Sequence, residues 1–474
     1  MQDTVQRIIK DSGIAFGTSG ARGLVEQFQP EVCFAFTQAF IESLRAQYEF
    51  DSIAIGIDNR PSSYGIALSC AAAAKKAGLS VDYSGVLPTP ALALHSSSLN
   101  IPSIMVTGSH IPFDRNGLKF YKPDGEITKQ DEGAILTCDS VCEFESPLEN
   151  LALSLKASDD YVARYVELFN SKPFQNRRLG IYEHSSAGRD LYRDVFEVLG
   201  AEVISLGRSD TFVPIDTEAV SQKDRKLAKE WSEKYSLDAI FSTDGDGDRP
   251  LIADEQGNWL RGDVLGLLTA AALNVDALAM PVNCNTAVEK SKQFESVVRT
   301  RIGSPYVIDA FSDLISAGYK VAGFEANGGF LLASDIHYNA VPLKALPTRD
   351  ALLPAIALFA HCWNEGKHIS QVVSGLPVRF TASDRLKEIE KGVSLGLIDK
   401  FRSSPQALCD LVGDGLAVLD INETDGFRLT ASNSEVVHLR PSGNAPELRC
   451  YAESDSQKRA EDLVNRVLQN LPVY

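Results

Sequence analysis

The chain reads as an α/β protein, with three α/β stretches followed by a smaller α+β domain that carries an antiparallel sheet. Three observations carry this reading. Strand-like apolar runs alternate with helical patterns over most of the length. Each of the three stretches contains an apolar run that opens into a polar, glycine-bearing loop, the position at which α/β proteins place ligand chemistry. The final segment instead carries short strands in succession before a terminal helix.

In the first stretch Ser52 to Ile57 is a strand, an alanine-rich helix follows near Ile66 to Ala77, and Leu79 to Tyr83 is the next strand. The alternation recurs with Leu179 to Tyr182 followed by a helix near Arg189 to Leu199, and with Ala277 to Pro281 followed by a helix over Thr286 to Gln293. Three further apolar runs lead into loops: Ile101 to Val106, Asp238 to Thr243 and Tyr319 to Ala322. Near the end, Pro377 to Thr381, Ala417 to Asn422, Thr424 to Thr430 and Glu435 to Arg440 read as short strands, and Gln457 to Leu471 as a helix.

At 474 residues the chain exceeds one core, and a domain size of roughly 100–200 residues predicts three or four domains. Polar or glycine-containing segments near Glu149, Gly257 and Gly375 divide it into 1–150, 151–257, 258–375 and 376–474. Apolar residues make up 44% and charged residues 23%, the composition of a soluble globular protein. The net charge of −17 repels nucleic acid and anionic membrane alike, so neither is an expected partner, and an anionic ligand needs a local basic pocket. Eight cysteines are scattered without a Cys-x-x-Cys pair, as expected of reduced thiols in the cytoplasm. Neither a signal peptide nor an apolar run of membrane-spanning length is visible.

The first loop, Thr107-Gly108-Ser109-His110-Ile111-Pro112, ends a buried strand, and Lys119 follows ten residues after its serine. A hydroxyl between a glycine and an imidazole is placed to carry an acyl or phosphoryl group. Alone, such a turn reads more readily as a serine bonding its own backbone. The second loop, Asp244-Gly245-Asp246-Gly247-Asp248-Arg249, is more specific. Three carboxylates at alternate positions, with glycines that let the backbone curl, form an all-oxygen set suited to Mg²⁺. An EF-hand is excluded because Arg249 occupies the position that needs glycine and the flanks read as strands. A phosphatase of the haloacid-dehalogenase type, with an aspartate nucleophile, is the rival, but it leaves the serine turn unexplained. Arg249 beside the carboxylates suits a site that holds a cation and a phosphoryl group together.

The third loop holds Glu325 and Asn327, a carboxylate and an amide suited to sugar hydroxyls. The fourth, Arg440-Pro441-Ser442-Gly443-Asn444-Ala445-Pro446, can wrap a phosphate with Arg440, Ser442 and the backbone N–H groups of Gly443 and Asn444. An opening segment, Phe16-Gly17-Thr18-Ser19-Gly20-Ala21-Arg22-Gly23, is glycine-rich but matches neither a Walker loop nor a dinucleotide fingerprint.

These five motifs, in this order across nearly the whole chain, resemble the α-D-phosphohexomutase superfamily, and most closely its bacterial phosphomannomutase/phosphoglucomutase branch. The resemblance implies three related α/β/α domains with mixed sheets and a C-terminal α+β domain around a central active-site cleft. It implies that Ser109 carries a phosphoryl group and that Mg²⁺ is held by Asp244, Asp246, Asp248 and an oxygen of the phosphorylated Ser109. It further implies interconversion of hexose 6-phosphate and hexose 1-phosphate through a hexose 1,6-bisphosphate that is also the activator. Mannose phosphates are the expected substrate; glucose and glucosamine phosphates are the alternatives, and a silent sugar-phosphate binding protein is the reading from another class. Arg22, Lys119 and Arg249 would offset phosphoryl charge, His110 and Lys119 are the candidates for proton handling, and Arg440 to Asn444 would grip the distal phosphate. The expected assembly is a monomer or homodimer. Two departures stand out: Gly329 follows Asn327-Gly328 where many members have a histidine, and Ala445 stands where glutamate or threonine is frequent.

Overall fold

The structure, a computed structural model, describes residues 3–17, 20–145, 149–442 and 446–471. Thr18 and Ser19 of the opening segment, and Gly443, Asn444 and Ala445 of the last loop, lie outside the described residues. The chain folds as two compact units, one of Met1–Asn274 with Asn327–Gln371, the other of Val275–Ala326 with Val372–Tyr474.

The first unit is built on two mixed sheets. In the larger, parallel strands Ser80–Val86, Ser52–Ile57 and Ser103–Val106 are followed in space by antiparallel Arg115–Lys122, Ala21–Leu24 and Ala15–Phe16. Helices Pro30–Leu44 and Ser63–Lys76 pack together beside it. The first of these buries Phe34, Phe36, Phe40 and Leu44, and the second contributes small residues, Ala67, Cys70, Ala71 and Ala74, that allow close approach. Burying each large apolar side chain contributes about 1.5–3 kcal/mol. The central strands are buried on both faces, which is why they read as continuous apolar runs instead of alternating ones.

The second sheet orders Pro250–Ala253, Ala239–Thr243, Arg178–Tyr182 and Glu202–Leu206. Its antiparallel pair closes at Thr243 opposite Pro250, so the acidic loop is the connection of a hairpin. The flanking strands expected for this loop are therefore present. A further antiparallel pair, Phe330–Leu332 with Leu346–Asp350, belongs to the same unit.

In the second unit, parallel strands Ser296–Thr300, Ala277–Pro281 and Val321–Phe324 lie side by side. A separate antiparallel sheet runs in the order Phe380–Lys387, Glu447–Ser454, Val436–Pro441, Phe427–Ala431 and Val418–Asn422. One face of it, with Leu429, Val437, Leu439, Leu448 and Cys450, packs on helices Lys391–Ser403, Pro405–Val412 and Gln457–Asn470. The α+β character expected for the end of the chain is present.

Three elements differ from expectation. The strand expected over 377–381 is Phe380–Lys387, because its eight-residue pairing with Glu447–Ser454 holds the polar run Ser383-Asp384-Arg385 in the sheet without apolar alternation. The helix expected over 286–293 is only Ala287–Lys290. Its start is tied down by Glu453, which accepts from the Thr286 backbone N–H at 3.0 Å, and Lys292 turns left-handed at φ 53° just beyond it. The strand expected over 424–430 begins at Phe427, since Asn422 and Thr424 form a turn in which Asn422 Oδ1 accepts the Thr424 N–H at 2.9 Å. Among the described residues no helix is long and apolar enough to cross a membrane.

Candidate active site

Ser109 follows strand Ser103–Val106 and is buried in the left-handed region at φ 54°. For a residue with a Cβ this conformation costs about 1–2 kcal/mol, and its surroundings hold it there. Thr107 Oγ1 accepts the Ser109 N–H at 2.8 Å and donates to Asp58 Oδ2 at 2.7 Å. Arg60, also paired with Asp58 at 3.1 Å, donates to the carbonyls of Ser109, Ile111, Pro112 and Arg115 at 2.9, 2.6, 2.7 and 3.0 Å. A buried guanidinium thus acts as a template for the whole loop. Burial pushes the Asp58 carboxyl up despite its arginine and hydroxyl partners. Gly108 is required here because a Cβ would stand 2.6 Å from Arg60 Cζ.

The Ser109 hydroxyl donates to Asp244 Oδ2 at 2.8 Å. Asp244, Asp246 and Asp248 are all buried, and one carboxylate oxygen from each lies within 4.8 Å of the others. Lys119 lies on strand Arg115–Lys122, and its Nζ donates to Oδ2 of Asp246 at 2.5 Å and of Asp248 at 2.7 Å. Thr89 Oγ1 also donates to Asp246 Oδ2, at 2.8 Å. Arg349, at the end of strand Leu346–Asp350, donates to Asp248 Oδ2 through Nε at 3.0 Å and Nη2 at 2.9 Å. Burial pushes Asp244 well up, and the neighbouring Asp246 and Asp248 add to that. Burial acts on Asp248 in the same direction, but Arg349, Lys119 and Arg249 outweigh it and hold that carboxyl far below the usual range.

Among the described residues Asp246 Oδ1 and Asp248 Oδ1 are buried without a hydrogen-bond partner, and the nearest cation to Asp248 Oδ1 is Arg249 Nε at 3.7 Å. Orphaned carboxylate oxygens are costly in a protein interior. An all-oxygen donor set with two such atoms beside the serine hydroxyl fits a hard divalent cation.

Arg249 Nη1 donates to His110 Nδ1 at 2.7 Å, and Ser109 Oγ lies 3.4 Å from the same nitrogen. Burial first, then the charges of Arg249 and Arg22, bring the His110 imidazole down to about 2. Arg22 lies on strand Ala21–Leu24 opposite Gly117, and its guanidinium makes no hydrogen bond or ion pair among the described residues. Burial, followed by repulsion from Arg249, lowers its guanidinium to about 10 while Asp246 opposes the fall.

The two residues of the third loop fall in different units. Glu325 is buried at the end of strand Val321–Phe324 in the second unit, and Asn327 belongs to the first. The carboxamide oxygen of Asn327 accepts the Gly329 N–H at 3.0 Å, and its carbonyl accepts from Thr217 Oγ1 at 2.7 Å. In the second unit Arg440 Nε pairs with Asp425 Oδ2 at 2.8 Å, and the Ser442 N–H donates to Glu447 O at 2.8 Å, closing the base of the last loop.

The structure therefore brings Ser109, His110, Lys119, Arg22, Asp244, Asp246, Asp248 and Arg249 together within the first unit. Sequence reasoning missed Asp58, Arg60, Thr89 and Arg349. Asp58 and Arg60 carried a signal, as charges directly after the apolar strand Ser52–Ile57; Arg349 carried none.

Family comparisons agree with this geometry. Models for phosphoglucomutase/phosphomannomutase match as alpha/beta/alpha domain I at residues 13–138, alpha/beta/alpha domain III at 261–380 and the C-terminal domain at 386–470. The chain belongs to the phosphoglucomutase/phosphomannomutase family of hexose-phosphate mutases. It is 57% identical to a phosphomannomutase of Salmonella muenchen over 98% of this chain and 97% of that protein. It is 40% identical to a phosphomannomutase of Sinorhizobium fredii over 95% and 97%, and 31% identical to a phosphoglucosamine mutase of Maricaulis maris over 95% and 97%. A crystal structure of a phosphoglucomutase/phosphomannomutase family protein from Burkholderia thailandensis shares the fold, with a TM-score of 0.75 at 20% identity, covering 96% of this chain and 99% of that one.

Proposed function

We propose that the protein is a phosphomannomutase that interconverts mannose 6-phosphate and mannose 1-phosphate by way of phosphorylated Ser109 and mannose 1,6-bisphosphate. The observation that carries this reading is the Ser109 hydroxyl 2.8 Å from Asp244, inside a ring of three buried carboxylates and buried cations. The choice of mannose rests on the relative at 57% identity over nearly all of both chains.

In the forward half-reaction the Oγ–P bond of phosphorylated Ser109 breaks as a bond forms from a sugar hydroxyl oxygen to phosphorus. The proton lost by the sugar hydroxyl is balanced by the proton that Ser109 Oγ gains as it leaves phosphorus and returns to a hydroxyl. The second half-reaction returns the other phosphoryl group of the bisphosphate to Ser109. Mg²⁺, held by Asp244, Asp246, Asp248 and an oxygen of the phosphorylated serine, would neutralise charge on the migrating group.

The chain's own residues set the geometry. Arg60 and Thr107 aim Ser109. The Arg22 guanidinium, which makes no hydrogen bond or ion pair among the described residues, is available to the phosphoryl oxygens, and Arg249 lies on the same side through its bond to His110. With Nδ1 occupied by Arg249 and the ring held neutral, His110 has no proton to give from that nitrogen. Lys119, bound to two carboxylates, serves charge offset and holds Asp246 and Asp248 in place. Glu325 and Asn327 would meet sugar hydroxyls, and Arg440, Ser442, Gly443 and Asn444 the distal phosphate. The four-domain division at 150, 257 and 375 and a cytoplasmic setting belong to the same reading; eight free cysteines support a reducing compartment.

The test is turnover of mannose, glucose and glucosamine 1-phosphates with Mg²⁺ and a bisphosphate activator, together with intact mass. The expected result is preference for the mannose ester and a phosphoryl adduct on Ser109 that Ser109→Ala abolishes. Preference for glucosamine 1-phosphate would overturn the substrate, and an unphosphorylated serine in a turning-over enzyme would overturn the mechanism.

A further inference from the structure

The distribution of donors over the acidic cluster is uneven. The Oδ2 atom of Asp248 accepts from Lys119 Nζ, Arg349 Nε and Arg349 Nη2, while its Oδ1 accepts from none. Asp246 repeats the pattern, with Lys119 and Thr89 on Oδ2 and none on Oδ1. In Asp244, Oδ1 accepts the backbone N–H groups of Asp248 and Arg249 at 3.3 Å each, which leaves Oδ2 toward the serine hydroxyl. One oxygen of each carboxylate is pinned by these donors; of the others, Asp244 Oδ2 takes the serine hydroxyl and Asp248 Oδ1 has Arg249 Nε 3.7 Å away, beyond hydrogen-bond distance.

For Asp248 the pin is mainly Arg349, and two features fix that side chain. Its successor Asp350 is buried and accepts from the hydroxyls of Tyr161, at 2.5 Å, and Tyr165, and from the Leu352 N–H at 2.9 Å. This anchors the strand end from which Arg349 projects. Its stem then runs across Gly329, where a Cβ would stand 2.6 Å from Arg349 Cδ and 2.8 Å from Cγ. Any larger residue at 329 would contest the volume that the arginine fills. Gly329, the departure noted in the third loop, and Arg349 are therefore one packing unit.

We propose that Arg349 is a positioning residue for the divalent-cation site: lodged over Gly329, it holds Asp248 by Oδ2 and so fixes the orientation in which that carboxylate would serve a cation. The proposal rests on the metal-site reading above. It makes a prediction opposite in sign to simple electrostatics. A neighbouring positive charge repels a cation, so if Arg349 contributed charge alone, its neutralisation would tighten cation binding. If it orients the ligand, its neutralisation weakens binding, as loss of a residue supporting a metal ligand does, by roughly 10–100-fold.

The experiment titrates the full-length protein with Mn²⁺ alone, reading free Mn²⁺ by electron paramagnetic resonance, for wild type, Arg349→Met, Arg349→Lys and Gly329→Ala, with thermal melts to verify folding. Expected are a loss of Mn²⁺ affinity of roughly 10–100-fold in Arg349→Met, partial recovery in Arg349→Lys, and a smaller loss in Gly329→Ala. Unchanged or tighter binding in Arg349→Met overturns the proposal while leaving the metal site in place. Should that variant not fold, unchanged binding in both Arg349→Lys and Gly329→Ala overturns it equally. A wild-type protein that takes up no Mn²⁺ overturns the metal-site reading, and the proposal with it.

Discussion

Arg60 holds Ser109 by its backbone: the guanidinium Nη2 donates to the serine carbonyl at 2.9 Å, while Nε is paired with the buried Asp58. The position of the candidate hydroxyl thus depends on an ion pair that never touches it. Both members of the pair are fully buried, and the guanidinium also lies 3.9 Å from the centre of the Phe212 ring.

Removing only one partner of such a pair leaves an uncompensated buried charge. Arg60→Met is expected to destabilise the protein by about 3–5 kcal/mol and to lower phosphorylation of Ser109. Combining it with Asp58→Asn should recover part of the stability but not the activity, because the loop carbonyls still lack their donor. Urea unfolding of the single and double variants, beside turnover, checks both statements.

Gly245 lies between two of the acidic residues with a backbone that alanine could adopt, yet a Cβ there would stand 2.7 Å from the Ser109 carbonyl oxygen and 3.1 Å from the Phe212 ring. Gly245→Ala should therefore push on the serine loop itself. Overpacking of this kind costs about 1–3 kcal/mol, whereas displacing a reacting atom by about 1 Å can cost ~100-fold in rate. The expected signature is a drop in kcat much larger than the fall in Tm accounts for.

His438 is buried in the second unit, donates from Nε2 to the Asp425 carbonyl at 2.6 Å and stacks on Tyr451. Burial brings its imidazole down to about 4 from an ordinary 6.5. The unfolded chain therefore binds this proton before the folded one does, and stability falls as pH drops from about 6.5 toward 4. At 1.36 kcal/mol per unit the full effect is on the order of 3 kcal/mol. Melting temperatures measured across this window should decline less steeply in His438→Asn, which keeps a donor for Asp425 but cannot titrate; an equal decline would remove His438 as a cause.

The strands and loops that could be read in advance are those whose signal is local. Ala277–Pro281 and the two strands flanking the acidic loop are short apolar runs ending at turn residues, and Asp244, Asp246 and Asp248 lie within five consecutive positions, so their convergence needs only a curled loop. The polar strand Phe380–Lys387 was legible only in part because its place in the sheet comes from a partner strand sixty or more residues away.

The candidate site divides in the same way. The order of the motifs along the chain was enough to define the family and to nominate Ser109, the acidic loop, Lys119 and Arg249, since each stands in a short stretch of unusual composition. Which oxygen of each carboxylate is pinned, which cation pins it and why Gly329 must lack a side chain were decided by folding alone. Arg349 lies 101 residues from Asp248, and Arg60 lies 49 from Ser109. Nothing in the local sequence encodes those meetings: hydrogen-bond direction and the excluded volume of a Cβ act over a few ångströms of space, and only the packed chain brings such distances about.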